Sequence, residues 1–165
     1  MSAMFSLVKS AAVLGIDAYI VNVECNLSNS QLPRFITVGL PEGAVKESKE
    51  RVMSAVKNTG YYISSNKIVI NLAPADIRKE GSAFDLPISI GILCAAERVS
   101  AKRLNDYVIL GELSLDGSLR GIRGALPIAV SIRDEPSIKG IILPKENARE
   151  AAIAGGLSVI GVTSL

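Results

Sequence analysis

The segment Asp76-Ile77-Arg78-Lys79-Glu80-Gly81-Ser82-Ala83-Phe84-Asp85-Leu86-Pro87 holds the residue types best suited to chemistry. It is polar and charged, and it runs straight into the longest mainly apolar stretch, Leu86 to Ala96. A Gly-Ser turn at the mouth of a buried helix would set the Ser82 hydroxyl beside free backbone N–H groups, as a nucleophile with an oxyanion site requires. The chain has no His, which excludes His-based triads, His metal sites and the usual base at neutral pH. The base would have to be a lysine with a pKa lowered by burial, and Lys79 is the candidate. A simpler reading competes. Ser82 or Asp85 caps the helix, with Asp85 at its positive end, and the local sequence favours capping.

Four cations, Arg78, Lys79, Arg120 and Arg123, stand on loops beside polar residues and glycines. Gathered by the fold they would contact phosphates; scattered, they are solvated surface. The charged run from Lys46 to Lys57 mixes signs through Glu47 and Glu50, which suits a solvated helix face. No G-x-x-x-x-G-K-[ST] loop occurs, and no G-x-G-x-x-G opens a helix. Gly117, Gly121 and Gly124 follow a hairpin instead. The backbone cradle for a nucleotide is therefore missing. Cys25 and Cys94 are far apart in apolar surroundings. They read as buried reduced thiols rather than a disulfide or a zinc site.

The elements that must position these residues come from 165 residues, 48% hydrophobic and 21% charged. This is a single well-filled domain spanning 1–165, and disorder is excluded. Lys+Arg number 18 against 16 Asp+Glu, a net charge of +2. Such a balance gives no strong signature for nucleic acid or an anionic membrane. The mean hydropathy of +0.36 is high, yet Leu86 to Ala96 falls well short of the ~20 residues a spanning helix needs. The N-terminus, Met1 to Phe5 with its first Lys at Lys9, lacks a secretory pattern, so a cytoplasmic location is expected.

Strands are expected at Phe5–Lys9, Ala18–Val23 and Phe35–Val38, with a turn at Leu14–Asp17 and a polar loop from Asn26 to Pro33. The period then turns helical from Glu42 to Thr59, where Val45, Val52, Ala55 and Val56 form one stripe and Gly60 a stop. A strand at Lys67–Leu72 precedes a helix at Leu86–Arg98, which is apolar nearly all round and therefore central. Tyr107–Leu110 and Glu112–Leu115 read as strands, and Asp116-Gly117 as a hairpin turn with Ser118–Arg120 returning. Helices at Leu126–Arg133 and Lys145–Ala154 alternate with strands at Ile138–Leu143 and Leu157–Val162. Without strict alternation overall, the order predicts an α+β layered domain. The chain stops after a strand with no polar tail, as a fragment of a longer protein would.

Three stretches carry a family resemblance. The first is Gly39-Leu40-Pro41-Glu42-Gly43-Ala44-Val45-Lys46-Glu47-Ser48-Lys49-Glu50-Arg51-Val52. The second runs from Lys67-Ile68-Val69-Ile70-Asn71-Leu72-Ala73-Pro74-Ala75-Asp76 through Lys79-Glu80-Gly81-Ser82-Ala83-Phe84-Asp85-Leu86-Pro87-Ile88. The third joins Gly111-Glu112-Leu113-Ser114-Leu115-Asp116-Gly117, Arg120-Gly121 and Ile141-Ile142-Leu143-Pro144-Lys145-Glu146-Asn147. Together they resemble the N-terminal domain of the bacterial Mg-chelatase-like AAA+ ATPases, the ComM/YifB group, over nearly the whole chain. That domain is similar to the proteolytic domain of Lon and the C-terminal domain of RadA. The resemblance implies a ribosomal-protein-S5-domain-2-like two-layer α+β sandwich. It also implies that ATP and Mg bind in a following ATPase module, outside this chain.

The Lon likeness implies positions for a Ser-Lys dyad. Lon-type proteases carry Lys-Asp-Gly-Pro-Ser, against Lys79-Glu80-Gly81-Ser82-Ala83 here, so Ala83 stands at the nucleophile position. The Lon lysine follows Gly-Gly-Leu, against Arg123-Gly124-Ala125-Leu126 here, so Leu126 stands at the lysine position. A protease without its nucleophile loses most of its rate. The resemblance therefore implies a non-catalytic module of a hexameric motor that drives DNA branch migration during natural transformation and recombination. Its partners would be DNA, through Arg78, Lys79, Arg120 and Arg123, and further copies of itself in a ring; no membrane is expected. Two alternatives remain at this level: a Ser-Lys hydrolase using Ser82 and Lys79, and a tetrapyrrole magnesium-chelatase subunit suggested by the family's name.

Overall fold

The computed structural model describes residues 4–79 and 81–165. Glu80, inside the run compared with Lon, and Met1 to Ala3, part of the N-terminal segment, lie outside the described residues. The elements follow in chain order: β1 (Met4–Leu14), β2 (Asp17–Ser28), β3 (Arg34–Val38), α1 (Glu42–Asn58), β4 (Lys67–Ala73), α2 (Asp85–Ala95), β5 (Tyr107–Ile109), β6 (Glu112–Leu113), β7 (Leu119–Arg120), α3 (Ala125–Ile132), β8 (Gly140–Pro144), α4 (Ala148–Ala152) and β9 (Ser158–Val162). Single 3₁₀ turns precede β5 and α4.

Seven strands form one mixed sheet in the order β3-β4-β2-β1-β5-β8-β9, and β6-β7 form a separate hairpin. β1 and β2 outrun their expected lengths because they pair antiparallel from Met4↔Leu27 to Leu14↔Asp17. Cross-strand pairing, absent from any local pattern, extends them through the small residues Ser10, Ala11 and Ala12. Asn26 to Ser28, expected in a loop, pair with Val69 to Lys67 of β4. The last four strands in that order, β1, β5, β8 and β9, are mutually parallel, and α3 and α4 connect the last three of them. The β6-β7 hairpin between β5 and α3 hides this alternation in the sequence.

Two buried clusters hold the sheet. Val8, Val23, Ile70 and Ile109 pack with Val52 of α1 and with Ile88 and Ile92 of α2. Ala11, Val108 and Ile141 pack with Ile128, Ala129 and Ile132 of α3. Val108 and Ile109 are neighbours in β5, so the clusters lie on opposite faces. Helices thus cover both faces, one helix layer more than a two-layer sandwich has. The reason is the parallel strand run, whose crossover helix α3 lands on the face away from α1 and α2. Helix α2 is central as its composition requires: every residue from Asp85 to Ala95 except Ile90 is buried, and each large aliphatic side chain there contributes about 1.5–3 kcal/mol. It ends before the expected Arg98, at a turn where Glu97 takes φ 58°. Among the described residues no helix is long and apolar enough to cross a membrane.

Candidate functional site

The end of β1, the Gly81–Phe84 turn and the segment after β7 enclose a cleft of about 750 Å³. Ser82, Ala83, Glu112, Arg78 and Arg123 border it. Gly81 makes the turn with φ +93°, where a side chain would be strained. The turn is then pinned to the hairpin: the Gly111 N–H donates to the Ala83 carbonyl at 2.8 Å and the Leu86 N–H to the Gly111 carbonyl at 2.9 Å. Gly124 opens α3 with φ +81°, and a Cβ there would lie 2.6 Å from Cγ2 of Val13. That glycine lets the Arg123 loop close against β1.

The Ser82–Lys79 dyad is not assembled. The Ser82 hydroxyl donates to the Glu112 carboxylate. The Lys79 side chain, 1% exposed, donates to the Pro74 carbonyl and, at 2.9 Å, to the Ile77 carbonyl. Burial lowers its pKa below the ordinary lysine value, with Asp76 opposing, but its nitrogen serves its own loop. At the Lon-like positions, Ala83 faces the cleft with a methyl group. Leu126 lies in α3, half-buried, with its N–H donated to Oε1 of Glu150 at 3.2 Å. Neither side chain can donate or take a proton.

The same burial corrects Lys79 as a DNA contact, because an ammonium held by two carbonyls inside the loop cannot reach a phosphate. Arg78 and Arg123 are exposed at the cleft, and the Arg78 carbonyl accepts the Tyr19 hydroxyl at 3.1 Å. Arg120 is exposed on β7, where its Nε donates to Ser114 at 2.8 Å. The fold brings Arg78 and Arg123 to one cleft and leaves Arg120 on the neighbouring hairpin.

The capping expectation also fails. Helix α2 has no side-chain cap. Ser82 contributes only its carbonyl, to the Asp85 N–H at 3.1 Å. Asp85, 1% exposed, turns away from the helix end and binds three residues on two other segments, α1 and β6. Arg51 of α1 donates to it from Nε at 2.6 Å and from its terminal nitrogen at 3.2 Å. The Ser48 hydroxyl donates at 3.0 Å and the Leu113 N–H at 3.1 Å. Burial pushes the Asp85 carboxyl above its ordinary value, while Arg51, Leu113 and Ser48 pull it back. The hydrogen bond to Asp85 in turn raises Arg51. Each hydrogen-bond partner of the Asp85 carboxyl is a donor, which favours its charged form against burial. Arg51, expected on the solvated face of α1, is thus the anchor between α1, α2 and the hairpin. The one sequence signal was Ser48 and Arg51 three apart, hence on one helix face, with a lone acid at the mouth of an apolar helix.

Among the described residues no group of three or more His, Cys, Asp or Glu is placed to hold a metal. Cys25 and Cys94 are both buried and free. Desolvation pushes Cys25 up to about 12, and the nearby Cys94 adds to it.

Residues 23–147 match the family model described as subunit ChlI of Mg-chelatase. The chain is 44% identical to the protein YifB of Escherichia coli K12 over 151 residues, covering 92% of this chain and 29% of YifB. It is 43% identical to the competence protein ComM of Haemophilus influenzae over 148 residues, covering 90% of this chain and 28% of ComM. A weaker likeness, 28% over 102 residues, links it to Lon protease 2 of Bacillus subtilis, covering 62% of this chain and 18% of that protease. The chain therefore spans less than a third of the length of YifB or ComM. Because the ChlI model covers most of its length, the chain belongs to the family of subunit ChlI of Mg-chelatase, with YifB and ComM among its relatives.

Proposed function

We propose that this chain is a non-catalytic assembly and DNA-interaction module of a Mg-chelatase-like AAA+ motor that drives DNA branch migration in natural transformation and recombination. Its frame is of the S5-domain-2 kind used by Lon, which the likeness to Lon protease 2 supports. ATP and Mg bind elsewhere in the longer protein, which works as a hexameric ring in the cytoplasm. The observation that carries this reading is the disarmed cleft. Ala83 faces it, Lys79 is turned into its own loop, and Arg78 and Arg123 border it. A cleft without a Ser-Lys dyad but with two guanidinium groups suits anionic backbone contact better than bond cleavage.

The test is titration of the chain against labelled single- and double-stranded DNA at low and moderate salt. Binding weakens with salt, and each of Arg78→Ala, Arg120→Ala and Arg123→Ala lowers the slope on duplex by about 0.9. Binding unchanged after all three are neutralised would refute the residue assignment. No binding at low salt would leave ring assembly as the module's role. The hydrolase alternative is checked with a serine-reactive probe, which is expected to leave Ser82 unlabelled. Labelling of Ser82 that Lys79→Ala abolishes would restore it.

A further inference from the structure

The β1-β2 hairpin is longer than the sheet that holds it. β5 pairs with β1 only at Lys9, and β4 pairs with β2 only from Asn22 onward. The ladder between β1 and β2 nevertheless continues to Leu14↔Asp17. Residues 12–19 therefore extend past both neighbours as a two-stranded arm, beyond the buried Ala11 and Val21 and beyond Ser10, whose hydroxyl still donates to the Ile109 carbonyl of β5 at 2.8 Å. Helix α3 supports one side of it, through Ser131, whose hydroxyl accepts the Ala18 N–H at 3.2 Å. A two-stranded ribbon is marginal by itself, and this one ends in exposed apolar side chains. Leu14 is 60% exposed and Ile16 91%. Asp17, next to Ile16, is exposed, and its carboxylate has no hydrogen bond or ion pair among the described residues.

A second feature, away from the main cleft, matches that tip. A groove of about 450 Å³ lies between β7 and the β8–α4 corner, with Leu119, Pro144 and Val162 as its apolar part. Lys145 and Arg149 stand on its rim, exposed and with no hydrogen bond or ion pair among the described residues. The third charge there, Glu146, lies against Gly121. The groove thus offers apolar surface beside two unpaired cations, and the tip offers apolar side chains beside one unpaired carboxylate.

We infer that the arm tip of one copy docks in this groove of a second copy, with Ile16 on Leu119, Pro144 and Val162, and Asp17 between Lys145 and Arg149. The occupant is the chain itself because both halves of the match, apolar and charged, are present on one molecule. Tip and groove share no residue, so a single contact leaves one copy with a free tip and the other with a free groove; repetition gives a ring or an open chain, and two such contacts closing between the same two copies give a symmetric dimer. The inference rests on the self-assembly half of the proposed function and supplies its surface. DNA contact through Arg78, Arg120 and Arg123 is separate from it.

The test is sedimentation of the 165-residue chain across a wide concentration range, with two variants. Ile16→Asp removes the tip, and Lys145→Glu with Arg149→Glu removes the groove. All these positions are exposed, and unchanged circular dichroism and thermal melting establish that the variants fold. The wild-type chain is expected to associate with rising concentration and each variant to stay monomeric. Mixed one to one, the variants form a heterodimer and nothing larger, because one good tip meets one good groove. A mixture that stays monomeric, or variants that associate like wild type, overturns the inference. A wild-type chain that is monomeric throughout also overturns it, while the DNA titration still tests the module reading on its own.

Discussion

Replacing Asp85 distinguishes a buried clamp from a helix cap. Asp85→Ala removes four hydrogen bonds: two from Arg51, one from Ser48 and one from Leu113. Arg51 is partly exposed, with 23% of its side chain accessible, so water replaces much of what it loses. The Ser48 hydroxyl and the Leu113 N–H are interior, and orphaning such groups costs about 1–3 kcal/mol each. With the residual loss at Arg51, the expected destabilisation is about 3–5 kcal/mol, or roughly 10 °C in Tm for a chain of this size. A lost cap would cost about 0.5–2 kcal/mol and would ignore Arg51. Urea unfolding followed by circular dichroism measures this in Asp85→Ala, Arg51→Met and the double variant. The clamp predicts a coupling energy of about 1–3 kcal/mol between the two sites. A loss below about 1.5 kcal/mol that simply adds to that of Arg51→Met would refute the clamp.

Three further outcomes follow from the same geometry. Lys79→Met leaves the Pro74 and Ile77 carbonyls without their donor. It should destabilise the chain and speed proteolysis of the 74–82 loop while leaving the salt slope of DNA binding unchanged; a reduced slope would return Lys79 to the DNA surface. Gly124→Ala should cost more than about 1 kcal/mol in urea, because φ is +81° and the new Cβ meets Val13 at 2.6 Å. For Cys25, raised from 9.0 to about 12, the unfolded chain ionises first as pH climbs. Its contribution is complete below pH 9 and falls away between pH 9 and 12, by as much as about 4 kcal/mol. Cys25→Ala should flatten the alkaline limb of the stability profile, and an unchanged limb would contradict the shift.

Much of the frame was legible from residue patterns. The helical stripe at Val45, Val52, Ala55 and Val56 and the all-apolar Leu86–Ala96 run mark α1 and α2 because burial on one stripe, or all round, leaves a period in the sequence. Asp116-Gly117 marks the β6-β7 turn because the turn needs the positive φ, +90°, that Gly117 adopts. The cleft was legible in part. Ser82 and Ala83 were placed at the mouth of α2, and the absence of His limited the chemistry available there. Where the Lys79 nitrogen points was not legible, since a lysine reads the same whether it meets solvent, a serine or a carbonyl.

Local composition therefore determined most of the elements and the missing nucleotide loop, while the blunted protease positions came from the likeness to Lon. Tertiary structure alone decided the partners. Asp85 meets Ser48, Arg51 and Leu113 across separations of 37, 34 and 28 residues, and local sequence favoured a cap because a cap needs only neighbours. The length of the β1-β2 arm was decided the same way, by how far β4 and β5 run beside it. Propensity and periodicity reflect contacts within a few residues, whereas hydrogen bonds between distant segments form only once the sheet has brought them together.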